Sequence, residues 1–295
     1  MSFWRQSGDY WLPPICIYIE YRHTDQGGSH AIHKDAGSGN DYIYLDCTKE
    51  RPENAHELAR RISDRHFGVG SDGLICVCPS RSADFRMEMY NADGTQGEMC
   101  GNGIRCMGKY VYDRGMTNKT DLTIETPGGV RTLRLQVGKG QVVSATVDMG
   151  APVLEPGRIP VVARGSRFIG KQLHVRGRSY EVTCVSMGNP HAVVFVPDVE
   201  RLNLAEIGPA FERHAIFPHR VNTEFVQVEG RSSLRMRVWE RGSGETLACG
   251  SGACAAVVAA VAGGHCSKGS DVTVKVRGGD LVVNYTDDKV TLTGD

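Results

Sequence analysis

Two copies of one short motif, half a chain apart, constrain this sequence more than any other feature. Cys100 is followed by Gly-Asn-Gly and Cys249 by Gly-Ser-Gly, and each motif opens an apolar run with helical spacing. Each motif predicts a thiol at a helix N-terminus, where free N–H groups and the helix dipole favour a thiolate and a bound anion. Cys249 lies 149 residues after Cys100 in a chain of 295, as an internal duplication with a pseudo-twofold axis would give.

The composition favours a protein that handles small molecules. Lys plus Arg and Asp plus Glu both number 34, with no basic or acidic block, which argues against a nucleic-acid surface or a membrane-surface helix. The ten cysteines lack a repeated Cys-x-x-Cys pair, so we expect reduced thiols and no metal. No stretch is typical of a transmembrane helix or a signal peptide, and we expect a cytoplasmic protein.

Breaker residues divide the chain into three parts. Residues 1–30 are predicted to be an irregular N-terminal extension, in which residues 15–21 could form a short strand. A Gly-Ala-Pro turn at residues 150–152 marks the boundary between two domains. The first domain, residues 31–150, carries Cys100, and the second, residues 151–295, carries Cys249.

Hydrophobic periodicity predicts helices packed against many antiparallel strands in each half, which is the α+β class. Helices are predicted at residues 53–66, from Cys100 to about 112, at 201–213 and after Cys249. Predicted strands cover residues 42–45, 74–77, 85–90, 121–126, 130–137, 141–148, 159–163, 173–176, 179–185, 192–196, 224–228, 234–240, 271–276 and 280–285. The last two are expected to close the second half.

The paired thiols indicate proton chemistry if the two halves face one another. The N–H groups at Gly101-Asn102 and Gly250-Ser251 would hold a carboxylate between two positive helix ends. One thiolate could then remove a proton from the adjacent carbon while the opposite thiol delivers a proton to the other face. This two-base inversion predicts an amino-acid racemase or epimerase, and the residues alone carry the interpretation no further.

Other readings of the same residues fit less well. Both cysteines could be core thiols or a dithiol redox pair, but neither explains two duplicated anion-binding turns. Residues 68–73 match Gly-x-Gly-x-x-Gly, yet they precede a strand, and a dinucleotide site requires them to follow one. No lysine lies in a turn that suggests a pyridoxal phosphate Schiff base. A non-catalytic binding module would be expected to lose one of the two cysteines.

Longer motifs around both cysteines resemble the two signatures of diaminopimelate epimerase: residues 91–94 with 99–106, and residues 239–254. Residues 39–42, 64–70, 186–191 and 220–225 also resemble that family, and the match runs in order from about Ile32 to Gly294. The resemblance implies a cofactor-free isomerase that interconverts LL- and meso-2,6-diaminoheptanedioate, in the biosynthesis of lysine and peptidoglycan precursors. It also implies a homodimer of chains with two pseudo-symmetric domains, each a mixed β-sheet or barrel wrapped around a central helix.

The resemblance assigns site residues. Cys100 and Cys249 are implied to be the acid/base pair, with His191 and Glu240 close to them and tuning the thiols. Substrate contacts are implied for Asn40, Asn91, Asn189, Asn222, Glu240 and Arg241, beside the helix-end residues Gly101, Asn102, Gly250 and Ser251. The chemistry is suitable, because a substrate with a second amino-acid head needs a second carboxylate clamp, and an arginine offers a planar fork for it.

Three departures from the family pattern stand out. Gly73 occupies a position where family members commonly have a residue able to reach the substrate. The family usually continues beyond Gly294 with a strand that returns to the first domain, so we expect the first sheet to be incomplete here. Residues 1–30 have no counterpart. The alternative function is racemisation of another amino acid, such as proline, hydroxyproline or a basic amino acid, on the same scaffold.

Overall fold

The computed structural model describes residues 17–22, 29–97 and 99–295. Its helices are α1 (Ala55–Ser63), α2 (Gly101–Asp113), α3 (Leu204–Glu212) and α4 (Gly250–Ala262), with a 3₁₀ turn at Pro156–Arg158. The strands of the first half are β1 (Ile17–Arg22), β2 (Ser29–Gly37), β3 (Asn40–Asp46), β4 (Gly73–Cys78), β5 (Phe85–Asn91), β6 (Gln96–Gly97), β7 (Asp121–Thr126), β8 (Gly129–Gly138) and β9 (Gln141–Gly150). Those of the second are β10 (Lys171–Val175), β11 (Arg178–Ser186), β12 (Pro190–Phe195), β13 (Asn222–Gly230), β14 (Ser233–Glu240), β15 (Gly244–Thr246), β16 (Asp271–Val276), β17 (Gly279–Tyr285) and β18 (Val290–Gly294).

The two halves repeat one order of elements at a constant spacing. α3 begins 149 residues after α1, β13 begins 149 residues after β4, and α4 begins 149 residues after α2. β2 pairs antiparallel with β3, β3 parallel with β4 and β4 antiparallel with β5, and β11 to β14 repeat these pairings. The predicted α+β class with two pseudo-symmetric domains is therefore confirmed.

A strand that we did not predict joins the two halves. β18 pairs antiparallel with both β17 of the second half and β9 of the first, with Leu292 opposite Val147. The expectation of an incomplete first sheet is wrong, because residues 290–294 themselves return to it. The sequence signal that could have indicated a strand is their short alternation of apolar residues with Thr. In the structure Leu292 is buried and the threonines beside it are half-buried.

The N-terminal extension also contributes to the sheet. β1 pairs antiparallel with β2, in the place that β10 takes beside β11 in the second half. The short strand expected at residues 15–21 is therefore present over the described residues 17–22, because the free edge of β2 supplies hydrogen-bond partners for an extended segment. The rest of residues 1–30 lies outside the described part of the chain, apart from the first residues of β2.

The predicted strand at residues 159–163 is absent. The backbone N–H of Val161 bonds to the carbonyl of Pro156, and that of Val162 bonds to the carbonyl of Ile216, so this segment is a turn followed by a loop. Proline lacks the N–H that a sheet ladder requires, and Pro160 lies within the segment. Ile159 and Val161 are nevertheless buried, so their apolar character reflects packing and not a strand. The other predicted helices and strands are present.

The long helices α2 and α4 lie at the centre of their halves. α4 is buried on every side over the run 252–260, which explains why its sequence is Ala, Val, Gly and Cys without a polar face. Side chains of both helices belong to one continuous apolar core, and α1 and α3 each cover a smaller core of their own half. The boundary at residues 150 and 151 stays a prediction. Within the described residues, no helix is long and apolar enough to cross a membrane.

Candidate active site

Cys100 and Cys249 cap their helices in the same way. Each is the N-cap of its helix with extended backbone, at φ −120° and ψ 122° for Cys100 and φ −134° and ψ 109° for Cys249. The Cys100 sulfur accepts from the N–H of Gly103 at 3.4 Å, and the Cys249 sulfur accepts from the N–H of Gly252 at 3.4 Å. A sulfur in this position accepts hydrogen bonds from free N–H groups and lies at the positive end of the helix dipole, and both interactions stabilise a thiolate.

The two helix N-termini meet across the pseudo-twofold axis. A Cβ added at Gly101 would lie 3.8 Å from the Cα of Gly250, and one added at Gly250 would lie 3.7 Å from the Cα of Gly101. Leu292 of β18 packs against both glycines, because its Cδ2 would lie 3.2 Å and 3.0 Å from the two added Cβ atoms. Larger residues would push the helices apart, so the glycines allow both anion-binding ends to face one space.

A chain of side-chain hydrogen bonds supports the first helix end. Asn102 donates from Nδ2 to Oδ1 of Asn40 at 2.7 Å, and Asn40 donates from Nδ2 to Oδ2 of Asp72 at 3.2 Å. The guanidinium of Arg105, only 1% exposed, donates to Oδ1 of Asn102 at 3.1 Å and to Oγ of Ser38 at 3.1 Å. The amide of Asn102 is thus held on both sides, which leaves its backbone N–H as the group for a ligand.

A different chain supports the second helix end. Nδ1 of the fully buried His191 lies 2.7 Å from Oε1 of Glu224, and Nε2 lies 2.9 Å from Oδ1 of Asn189. Asn189 donates to Oγ of Ser251 at 3.2 Å, and that oxygen lies 3.5 Å from the Cys249 sulfur. His191 therefore reaches Cys249 through Asn189 and Ser251.

Charged groups around Cys249 set its protonation. Burial, Glu240 and Glu224 raise the pKa of the Cys249 thiol well above its ordinary value. Glu240 lies close enough to Cys249 for its charge to raise the pKa of the thiol, and it accepts from the hydroxyl of Thr246. Burial and the neighbouring Glu224 carboxylate raise the pKa of Glu240. The second half of the site therefore favours a neutral thiol.

The remaining predicted residues lie at the ends of strands β5, β13 and β14 or directly after them. Asn222 is buried, and its Oδ1 accepts from the backbone N–H of Arg241 at 2.8 Å. Arg241 is exposed, and its guanidinium donates to the carbonyl of His219 at 3.2 Å. Asn91 is half-buried and donates to Oγ1 of Thr95 at 2.9 Å. Asn222 thus fixes the backbone from which Arg241 projects.

The sequence analysis missed four polar residues that the structure brings to the site. Asp72 and Arg105 hold the Asn40–Asn102 pair, and Glu224 holds His191. Tyr42 lies on the face of β3 from which Asn40 and Tyr44 bond the first turn of α2. Tyr42, Asp72 and Arg105 stand inside quoted motifs, and alternation along β13 could have placed Glu224 on the same face as Asn222. Gly73 offers no side chain, and an added Cβ there would lie 2.2 Å from the carbonyl oxygen of Tyr90.

The other buried cysteines carry no sign of activation. Burial raises the pKa of Cys106 and of Cys254 to about 12 in each case. Within the described ranges, no three His, Cys, Asp or Glu side chains are grouped so that they could hold a metal ion.

Solved structures with the same architecture are racemases, epimerases and related proteins. A hydroxyproline epimerase from Agrobacterium vitis superposes with a TM-score of 0.67 at 14% identity, over 90% of this chain and 89% of its own. A phenazine biosynthesis protein of the PhzF family from Bacillus anthracis superposes with a TM-score of 0.65 at 17% identity, over 89% and 94%. At such identities the likeness shows the fold alone. Fold and paired cysteines together define a two-domain α+β protein with one helix-capping cysteine in each half.

Sequence comparison specifies the family within this class. The diaminopimelate epimerase family model matches residues 32–155 and 183–295. The chain is 52% identical to a diaminopimelate epimerase from Desulfovibrio desulfuricans, over 88% of this chain and 93% of that one. It is 49% identical to a diaminopimelate epimerase from Methanococcus maripaludis, over 88% and 93%. The chain belongs to the diaminopimelate epimerase family, and the predicted resemblance is confirmed.

Proposed function

We propose that this chain interconverts LL- and meso-2,6-diaminoheptanedioate by a two-base mechanism at Cys100 and Cys249. The observation that carries the proposal is the meeting of two helix N-termini, each capped by a cysteine whose sulfur accepts a backbone N–H at 3.4 Å. Membership of the family, with relatives of this name about half identical over most of the chain, supplies the substrate.

The reacting carboxylate would lie between the two helix ends. The N–H groups of Gly101, Asn102, Gly250 and Ser251 belong to first helical turns, which have no intrahelical acceptors for them. These groups and two positive dipole ends would stabilise the negative charge that grows on the carboxylate as the α-proton leaves. The site would lower the barrier through charges that are already in place before the proton moves.

The proton transfers would use one thiolate and one thiol. In one direction the Cys100 thiolate takes the α-proton, and the Cys249 thiol gives its proton to the opposite face of the same carbon. Afterwards Cys100 is the thiol and Cys249 the thiolate, so exchange of protons with solvent or the reverse reaction restores the starting state. The raised pKa of Cys249 supports Cys249 as the protonated partner in the free enzyme.

The polar residues at the strand ends would hold the two amino-acid heads of the substrate. Glu240, whose charge raises the pKa of Cys249, is suited to the reacting ammonium group, and His191 would orient that half through Asn189. Arg241 would clamp the distal carboxylate, and Asn222 fixes its backbone. Asn40, Asn91 and Asn189 offer amide groups that can accept from ammonium and donate to carboxylate.

A proton NMR time course in D2O, without added pyridoxal phosphate or metal, tests the activity. We expect loss of the α-proton signal of LL-diaminopimelate and growth of the meso isomer, with no exchange on proline, hydroxyproline, lysine or glutamate. Exchange on one of those other amino acids would keep the two-base chemistry and replace the substrate. No exchange on any of them, by a protein that circular dichroism shows to be folded, would contradict the proposal.

We also propose that the enzyme needs no cofactor and serves lysine and peptidoglycan precursor biosynthesis as a cytoplasmic homodimer that binds no nucleic acid. The homodimer and the biosynthetic role rest on family membership. The equal numbers of acidic and basic residues support the absence of a nucleic-acid partner. Sedimentation velocity would test the dimer, and a single species with the 32.2 kDa mass of one chain would contradict it.

A further inference from the structure

We propose that Tyr42 is a positioning residue for the acid/base thiol of the first half, and that its hydroxyl donates a hydrogen bond to the sulfur of Cys100 when that sulfur is a thiolate. This inference rests on the proposed two-base function, and it assigns to Tyr42 a part that the family resemblance did not give it.

The strand register places Tyr42 where His191 lies in the other half. Tyr42 is opposite Gly73 in the parallel pair of β3 and β4, and His191 is opposite Asn222 in the parallel pair of β12 and β13. Tyr42 and His191 are 149 residues apart, the same spacing that relates Cys100 to Cys249. The two positions are thus equivalent in the duplicated fold, one beside each cysteine-capped helix.

The position of Tyr42 on β3 directs its side chain toward the end of α2 that carries the Cys100 thiol. Its side chain is 7% exposed. Asn40 and Tyr44, its neighbours on the same face of β3, bond Asn102 and the carbonyl of Gly103 in the first turn of α2, so Tyr42 lies between them against the helix end that Cys100 caps. The other charged groups that face it are Asp72 and Glu240. Burial and these anionic neighbours raise the pKa of the Tyr42 phenol, so it stays protonated and remains a donor.

Gly73 explains why the tyrosine can serve this position. Side chains at paired positions of neighbouring strands point to the same face of a sheet. Gly73 has no side chain, and the carbonyl oxygen of Tyr90, 2.2 Å from an added Cβ, leaves no room for one. Tyr42 therefore supplies the polar side chain that this pair of strands directs to the site.

The two thiols then differ in their donors. The Cys100 sulfur has the N–H of Gly103 and the hydroxyl of Tyr42, both of which favour the thiolate. The Cys249 sulfur accepts from the N–H of Gly252 and lies 3.5 Å from Oγ of Ser251, while the nearby Glu240 raises the pKa of its thiol. His191, the counterpart of Tyr42, is directed to Glu224 and Asn189 instead of to the sulfur. In the first half, therefore, a side chain on strand β3 donates directly to the cysteine sulfur.

The experiment is a titration of the Cys100 thiol in the substrate-free enzyme, so its outcome does not depend on which amino acid the enzyme uses. Alkylation rates with iodoacetamide are measured against pH, and tryptic cleavage at Arg105 separates Cys100 from Cys106 for mass spectrometry. In Tyr42→Phe we expect the apparent pKa of Cys100 to rise by about one unit relative to the wild type. The acid limb of the pH profile of kcat/KM should move in the same direction.

The matched control is Tyr90→Phe, which removes the hydroxyl of a buried tyrosine that bonds Glu88 and lies outside the site. Its Cys100 titration should match the wild type. Fluorotyrosine at position 42 keeps the ring and strengthens the donor, so it should lower the apparent pKa of Cys100 even if Tyr42→Phe fails to fold. A Cys100 titration that does not move in either folded variant would overturn the proposal.

Discussion

The helix end at Cys100 and the helix end at Cys249 share one backbone and differ in the side chains around it. Both cysteines are N-caps with extended backbone, and each sulfur accepts from the backbone N–H of the residue three positions later at 3.4 Å. At three equivalent strand positions the first half has Tyr42, Gly73 and Asn91, and the second half has His191, Asn222 and Glu240. Duplication has thus preserved the helix-end geometry, while the second half places an imidazole and a carboxyl group where the first half has a phenol and an amide. In the proposed two-base reaction, this difference would allow one thiol to act as the base and the other as the acid.

The largest expected effect comes from removing either thiol. Cys100→Ala and Cys249→Ala should each lower kcat by at least about 10²–10⁴-fold, because each removes the proton donor or acceptor of one face. Exchange of the α-proton in D2O and formation of the other epimer measure the two steps separately.

Cys266→Ala, which truncates a buried cysteine of the core, is the control and should keep the activity. If one of the two helix-capping cysteines could be replaced without loss of activity, the proposal that one thiol is the acid and the other the base would be wrong.

The next effect concerns the strand that joins the halves. Leu292→Ala should lower the free energy of unfolding by about 2–5 kcal/mol, because it removes a fully buried side chain that packs on both Gly101 and Gly250. Val162→Ala, at an exposed valine, should change it by less than about 0.5 kcal/mol. Chemical denaturation of the two variants measures both values, and equal small effects would mean that β18 does not hold the halves together.

A smaller effect is expected at a position away from the two helix ends, where the halves carry different residues. Burial and the nearby Arg114 lower the pKa of His33 to about 4, and the register places Thr183 at the equivalent position of the second half. When the folded pKa of a histidine lies below its unfolded value of about 6.5, the unfolded state takes up the proton first as pH falls. The free energy of unfolding is therefore highest above about pH 6.5. This stability is lost as pH falls from about 6.5 to about 4, by at most about 3 kcal/mol.

His33→Thr should therefore flatten the decline of unfolding free energy between pH 7 and 4, and His174→Thr, at an exposed histidine, should leave the decline unchanged. Denaturant titrations at several pH values measure it. Equal slopes in the wild type and in His33→Thr would show that His33 does not titrate on unfolding in this range.

The smallest effect tests the charge beside Cys249. Glu224→Gln should lower the apparent pKa of Cys249 by about one unit, because it removes one of the carboxylates that raise it. The shift is opposite in sign to that expected for Cys100 in Tyr42→Phe. Alkylation of Cys249 against pH gives the value, with Glu229→Gln at the exposed end of β13 as the control. A rise in the pKa of Cys249 would contradict the proposal that nearby carboxylates keep the Cys249 thiol protonated.

The sequence by itself determined the local features of the site. A cysteine followed by Gly-x-Gly and an apolar run specifies an N-cap with free N–H groups behind it, because capping depends on a few consecutive residues. The constant spacing between the two motifs indicated the duplication and therefore the facing helix ends. Both predictions hold because periodicity and capping are properties of short segments.

Only the tertiary structure decided which distant residues meet. The pairing of β18 with β9, and the chains from Arg105 to Asn40 and from Glu224 to Ser251, depend on the register of strands far apart in the sequence. The same holds for Tyr42, whose place beside Cys100 follows from how β3 is set against α2. Residues 159–163 show the converse, because their apolar pattern predicted a strand and packing of the second half made them a loop. Long-range register is fixed by which side chains the assembled core buries, and no single segment contains that information.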